Sequence, residues 1–158
     1  MILYHGTNTD FPVIDLTKSQ RGKDFGCGFY LSASKEQAEE MAKFKVQLFG
    51  GQFIVQSYEF DETHLCDGTL QFLSFEGYSK DWATFILANH QNKNAENIHD
   101  YDIVYGPIAN DKVGAQIRNV MEHNINMETF LERLKYMKGI TFQYYFGSEK
   151  AIQMLRRL

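Results

Sequence analysis

The segment from Asp24 to Ser32 contains the residues best suited to bind a flat ligand. Two glycines bracket Cys27, and glycine lets another group approach the backbone closely because it has no Cβ. Phe29, Tyr30 and Leu31 then form a short predicted strand, in which Tyr30 faces away from its two neighbours. The ring of Tyr30 could therefore stack on a planar ligand beside the glycine turn. The alternative interpretation is an ordinary core tyrosine next to a turn.

Two further polar residues lie at or within predicted strands. His5 ends the apolar run that begins at Ile2, and Gly6 follows it directly. Strand ends that face loops often carry binding residues, although a histidine there can also simply fill a sheet edge. Gln143 lies in the last predicted strand, 141–146, where the alternative is a surface glutamine on an edge. None of the three residues identifies a reaction by itself.

Composition limits the class of protein. A chain of 158 residues with 44% hydrophobic and 15% aromatic residues is predicted to form one folded domain over 1–158. The net charge of −4 gives no overall basic surface for nucleic acid, although Lys18, Arg21 and Lys23 lie close together.

The two cysteines, Cys27 and Cys66, lack metal-type spacing, so we expect no metal. No apolar run is long enough to cross a membrane. Without a recognisable signal peptide, a reducing cytoplasm is the expected location.

The pattern of apolar residues predicts an α+β fold, since strands are spread along the chain and helices are grouped between them. Strands are predicted over 2–5, 29–31, 52–60, 101–106 and 141–146. Helices are predicted from Ser34 to Gly50, within a helical insert over 67–90, over 115–137 with a break at His123-Asn124, and over 149–158. Trp82 is expected to anchor the insert in the core, and His90 and His99 are expected to face solvent.

Three separated segments together resemble the signature segments of ADP-ribosyltransferases. They are Tyr4-His5-Gly6-Thr7, Gly28-Phe29-Tyr30-Leu31-Ser32 and Phe142-Gln143-Tyr144. The order is similar to the His-Tyr-Glu branch, which contains the diphtheria-type toxins and the poly(ADP-ribose) polymerases. Within it, segments 24–30 and 102–109 look most like a bacterial domain-of-unknown-function family, DUF3990. The resemblance implies a split central β-sheet with flanking helices and a helical insert.

The resemblance also implies NAD as co-substrate and assigns roles to single residues. His5 would bond a ribose hydroxyl, Gly6 would bind the nicotinamide carboxamide through its backbone, and Thr7 would support that turn. Tyr30 would stack on the nicotinamide ring, and Ser32 would line the same pocket.

Further positions follow from the same resemblance. Gly28, Met41 and Arg21 would lie against the bound NAD, with Met41 standing where many relatives have a second aromatic ring. Gln143 would occupy the position of the catalytic glutamate; His5, Tyr30 and Gln143 are thus the expected catalytic residues.

The implied activity is transfer of a single ADP-ribose to a macromolecule, because Gln143 carries no charge and is a poor base. The alternatives are hydrolysis of NAD and a module that binds NAD or ADP-ribose without reaction. Mild acidity favours a protein acceptor over nucleic acid. By analogy of fold alone, such an enzyme could act as a toxin with a cognate antitoxin.

Overall fold

The computed structural model describes residues 1–158 and contains seven strands and five α-helices. The strands are β1 (Ile2–Thr7), β2 (Phe29–Leu31), β3 (Ile54–Phe60), β4 (Phe72–Ser74), β5 (Ile103–Pro107), β6 (Phe142–Phe146) and β7 (Leu155–Arg157). The helices are α1 (Lys35–Phe49), α2 (Lys80–Gln91), α3 (Asp111–Met121), α4 (Met127–Leu134) and α5 (Glu149–Ile152), with 3₁₀ turns at Leu16–Lys18 and Glu62–Leu65. The predicted α+β class is confirmed.

The strands form two sheets that are joined by backbone hydrogen bonds at one point. The three-stranded sheet has the order β1-β3-β7 and is antiparallel throughout. The four-stranded sheet has the order β2-β6-β5-β4, in which only β4 and β5 are parallel. Tyr4 of β1 and Ser32, just after β2, exchange two backbone hydrogen bonds of 2.8 Å and join the sheets.

Two apolar cores lie on opposite faces of the four-stranded sheet. One core fills the space between this sheet and α2–α4, and it contains Trp82, whose indole N–H donates to the carbonyl of Pro107 at 3.0 Å. The predicted anchoring role of Trp82 is therefore confirmed. The other core lies between the two sheets and contains Leu3, Phe29, Leu31 and Phe60. The alternation predicted for β2 is also present, because Phe29 and Leu31 are buried in this second core while Tyr30 packs against the first.

Helix α1 lies directly across β1 and forms one wall of the candidate site. Ser34 caps the helix by accepting a bond from the backbone N–H of Gln37, as its sequence position indicated. A Cβ placed on Gly6 would lie 1.9 Å from the carbonyl oxygen of Ala38, so only glycine permits this approach.

Two predicted helical regions are different in the structure. Residues 67–79 contain no helix; Phe72–Ser74 form β4, and only Lys80–Gln91 of the predicted insert are helical. The C-terminal helix ends at Ile152, and Leu155–Arg157 form β7 against β3. Both segments form strands because each pairs with a distant strand, β4 with β5 and β7 with β3. The spacing of apolar residues cannot reveal such a partner. The chain has no helix of the length and apolarity needed to cross a membrane.

Candidate functional site

A cavity of about 290 Å³ opens where the two sheets and α1 meet, and we call it the central cavity. His5, Tyr30 and Gln143 all line it, so the structure brings together the three residues that the sequence singled out. Gly6, Ser32 and Met41 line it as well. The remaining walls are Tyr4, Lys23, Asp24, Leu31, Gln37, Ala38, Lys45 and Ile108.

His5 is fixed in a neutral form with one nitrogen available to a ligand. Its Nδ1 lies 2.8 Å from the carbonyl oxygen of Tyr30, and its ring stacks on Phe29 at 4.4 Å between centroids. A carbonyl can only accept, so Nδ1 carries the hydrogen and Nε2 is left as an acceptor. Burial, aided by the charge of Lys45, lowers the pKa of His5 to about 3.

Tyr30 is held by its hydroxyl group as well as by its strand. The hydroxyl donates to the carbonyl of Gly26 at 2.7 Å and accepts from the N–H of Phe25 at 3.1 Å, and burial raises its pKa well above the usual value. The Lys23 ammonium lies 5.1 Å from the ring centroid. A planar ligand stacked on that face would have to displace Lys23.

The backbone of Gly6 presents hydrogen-bonding groups on the side of β1 that faces away from β3. Tyr4 directs both its backbone groups to Ser32, and alternation gives Gly6 the same direction. The Gly6 carbonyl accepts a 2.8 Å bond from the Lys45 ammonium. Burial of Lys45, with Lys23 nearby, lowers its pKa to about 8.

Gln143 is paired with a carboxylate that the sequence analysis did not assign to the site. Its Nε2 donates to Oδ2 of Asp24 at 3.0 Å, and the same oxygen accepts from the N–H of Ala109 at 3.0 Å. Oδ1 of Asp24 lies 2.7 Å from Nε2 of His90. Asp24 thus connects the glycine turn to β6, α2 and the segment after β5.

The expectation that His90 and His99 face solvent is wrong. His90 binds Asp24, and His99 Nε2 lies 2.7 Å from the carbonyl oxygen of Phe25, between the rings of Phe85 and Tyr145. Burial lowers the pKa of His99. Both histidines hold the glycine turn in place. The polar composition of their segment hid this role, since the partners lie more than 60 residues away in sequence.

Three predicted site residues lie outside the central cavity. Arg21 donates to the carbonyl of Lys93 at 2.9 Å on an exposed surface. Gly28 packs under Tyr145, where an added Cβ would lie 2.1 Å from the ring. Thr7 is buried and holds the following turn through the backbone of Thr9.

The other two predicted residues, Ser32 and Met41, do line the central cavity. The Ser32 hydroxyl accepts a bond from the N–H of Ser34 at 2.9 Å, and the Met41 side chain is 48% exposed.

A second cavity of about 450 Å³ adjoins the first at Ser32 and Gln37, and we call it the aromatic groove. Its wall carries the rings of Tyr105, Phe142 and Tyr144, with centroids 5.2 Å and 4.6 Å from Tyr105. Glu36 and Glu40 of α1 line the opposite side. Gln37 separates the two cavities by donating to the carbonyl of Phe142 at 3.1 Å.

The central cavity combines a neutral imidazole acceptor, an aromatic ring, outward-facing backbone groups and one carboxylate. Such a set can bind and orient a hydroxyl-bearing planar ligand and can stabilise positive charge. No three His, Cys, Asp or Glu side chains of the chain converge as a metal site would require. Asp24, Lys23 and Lys45 were missed by sequence reasoning. The position of Asp24 at the start of the glycine turn was the one available signal.

Comparison with known proteins adds the family. No curated protein and no solved structure shows significant similarity to this chain. One family model, described as a protein of unknown function and named DUF3990, matches residues 1–157. The match covers nearly the whole chain, including every segment that forms the central cavity. This chain therefore belongs to the DUF3990 family.

Proposed function

We propose that this protein is an NAD-dependent mono-ADP-ribosyltransferase of the ADP-ribosyltransferase superfamily. The observation that carries the proposal is that His5, Tyr30 and Gln143, from three separated segments, line one cavity. The two sheets that meet at Tyr4 and Ser32 support the finer expectation of a split central sheet. The cavity of about 290 Å³ lies at the lower limit of the usual size of small-molecule sites, about 300–1,000 Å³, which suits the nicotinamide–ribose half of NAD.

The free acceptor on His5 and the backbone of Gly6 suit the two polar parts of that half. Nε2 of His5 would accept a bond from a ribose hydroxyl. The Gly6 carbonyl and N–H would bind the carboxamide once Lys45 withdraws from the carbonyl. Tyr30 would stack on the nicotinamide ring once Lys23 moves aside. Both lysines have long side chains, so these movements need no change of backbone.

The reaction needs little acid catalysis. Nicotinamide leaves as a neutral molecule because its ring nitrogen already carries positive charge in NAD. The protein must therefore hold the ribose, stabilise the oxocarbenium-like transition state and exclude water. Gln143 stands where the His-Tyr-Glu branch has its glutamate, and this departure favours transfer of one unit over chain elongation.

The test measures three products of one incubation with tagged, radiolabelled NAD. We expect free nicotinamide to appear together with label on a protein fraction, and expect much less label on added nucleic acid. Nicotinamide release without labelled macromolecule would instead show a glycohydrolase. Thermal stabilisation by NAD with neither product would show a binding module.

Two variants make the assay specific for the central cavity. His5→Ala is expected to lower nicotinamide release at least tenfold, because the ribose loses its acceptor. Tyr105→Phe is the control, since Tyr105 lies in the aromatic groove, outside the central cavity, and its hydroxyl has no hydrogen-bond partner in the protein. Equal turnover by wild type and His5→Ala would contradict the proposed site. Growth arrest on expression, relieved by a co-expressed partner, would support a toxin with a cognate antitoxin.

A further inference from the structure

We propose that Asp24 is the catalytic carboxylate of the central cavity, and that Gln143 serves to hold it. This inference rests on the proposed function. Asp24 and Gln143 both line the cavity with His5 and Tyr30, and Gln143 Nε2 lies 3.0 Å from Oδ2 of Asp24. The negative charge that a glutamate would supply from β6 is thus present one side chain away, on the glycine turn.

Three donors from three separate segments of the chain fix the carboxylate. Gln143 of β6 and the N–H of Ala109 bind Oδ2, and His90 of α2 binds Oδ1 at 2.7 Å. A carboxylate offers about four acceptor positions, so about one remains for a ligand. The side chain of Asp24 is only 13% exposed, which keeps most water away from it. A fixed, poorly hydrated charge is the kind that stabilises a developing cation strongly.

The bond between C1′ of the ribose and the nicotinamide nitrogen breaks, and its electron pair stays with nicotinamide, which leaves neutral. The developing charge on C1′ and the ring oxygen faces the Asp24 carboxylate. A lone pair of the acceptor forms the new bond to C1′, and the acceptor's proton passes to Asp24. His90, whose side chain is 24% exposed, connects that carboxylate to solvent for return of the proton.

The test removes the carboxylate from position 24 and then places a carboxylate at position 143. Asp24→Asn keeps the shape, because its oxygen can accept from Ala109 and Gln143 while its amide donates to Nε2 of His90, once the His90 proton lies on Nδ1. We expect nicotinamide release to fall at least about 100-fold. The dissociation constant for NAD should change less than about threefold. A group that only shaped the site would change binding as well.

The double variant Asp24→Asn with Gln143→Glu restores one carboxylate to the same pair from the β6 side. We expect the double variant to release nicotinamide at least about tenfold faster than Asp24→Asn does, with a shifted pH–rate profile. Recovery would distinguish a lost charge from a lost fold. Absence of recovery in a variant that melts like wild type would overturn the inference.

Gln143→Ala gives an answer even if Asp24→Asn does not fold. It leaves the carboxylate with two of its three donors, so turnover should fall only about tenfold. A complete loss would make Gln143 the essential group and overturn the inference. A wild-type protein that releases no nicotinamide would remove the proposed function itself, whereas an active Asp24→Asn variant would remove only the role of Asp24.

Discussion

The central cavity and the aromatic groove share Ser32 and Gln37 but are built in opposite ways. In the central cavity the hydroxyl of Tyr30 makes two hydrogen bonds and the carboxylate of Asp24 receives three. In the groove, the Tyr105 ring stacks on Phe142 and lies tilted against Tyr144, and neither tyrosine hydroxyl makes a hydrogen bond within the protein. Fixed side chains suit a site that must position reacting atoms, whereas the open groove can accept more varied contacts.

The largest expected effect concerns the wall between α1 and β1. Gly6→Ala would place a methyl group 1.9 Å from the backbone oxygen of Ala38, which cannot move without displacing the helix. We expect a loss of more than about 4 kcal/mol of unfolding free energy, measured by urea titration. Gly114→Ala in α3 is the matched control, with open space beyond 3.9 Å, and should stabilise by about 0.5–1 kcal/mol. A Gly6→Ala protein as stable as wild type would show that the wall is not close-packed.

The next effect is a dependence of stability on pH that originates in the central cavity. Native His5 stays neutral down to a pKa of about 3, while the unfolded chain takes up the proton near 6.5. The free energy of unfolding should therefore fall as pH drops from 6.5 towards 3, by up to about 1.4 kcal/mol per pH unit.

The His5 contribution can be separated from that of other groups. His5→Asn can still donate to the Tyr30 carbonyl but does not titrate, so its stability should depend less steeply on pH below 6.5. Parallel curves for the two proteins in urea titrations at several pH values would contradict the neutral state of His5 in the folded protein.

The smallest expected effect compares one hydroxyl from each cavity. Tyr30→Phe leaves the Phe25 N–H and the Gly26 carbonyl without their partner, so we expect a loss of about 1–3 kcal/mol. Tyr105→Phe removes a hydroxyl with no partner and should change stability by less than about 0.5 kcal/mol. Equal effects in thermal melting would remove the distinction between the rigid cavity and the adaptable groove.

The sequence predicted those parts of the fold that local patterns control. The strands at His5, Tyr30 and Gln143 were bounded by glycine or by alternation, and the cap at Ser34 was set by nearby residues. The wrong predictions are the two segments whose residues have helical spacing but pair with a distant strand instead, β4 and β7. β7 forms because its backbone pairs with β3, where Arg156 lies opposite Glu59, 97 residues earlier.

In the candidate site, too, local patterns were predicted and distant contacts were not. Motif order indicated that His5, Tyr30 and Gln143 belong together, and all three line the central cavity. The sequence marked Asp24 only as the first residue of the glycine turn, because its partners Gln143, His90 and Ala109 come from three later segments of the chain. A role that depends on several distant contacts leaves no periodic or local signal in one sequence.

A crystal structure of the protein with NAD would test the central claim most directly. We expect the nicotinamide ring against Tyr30, its carboxamide on the backbone of Gly6, and a ribose hydroxyl within hydrogen-bond distance of Nε2 of His5. The Asp24 carboxylate should face C1′ of the same ribose. NAD bound in the aromatic groove, or a central cavity still closed by Lys23 and Lys45 at saturating NAD, would contradict the account.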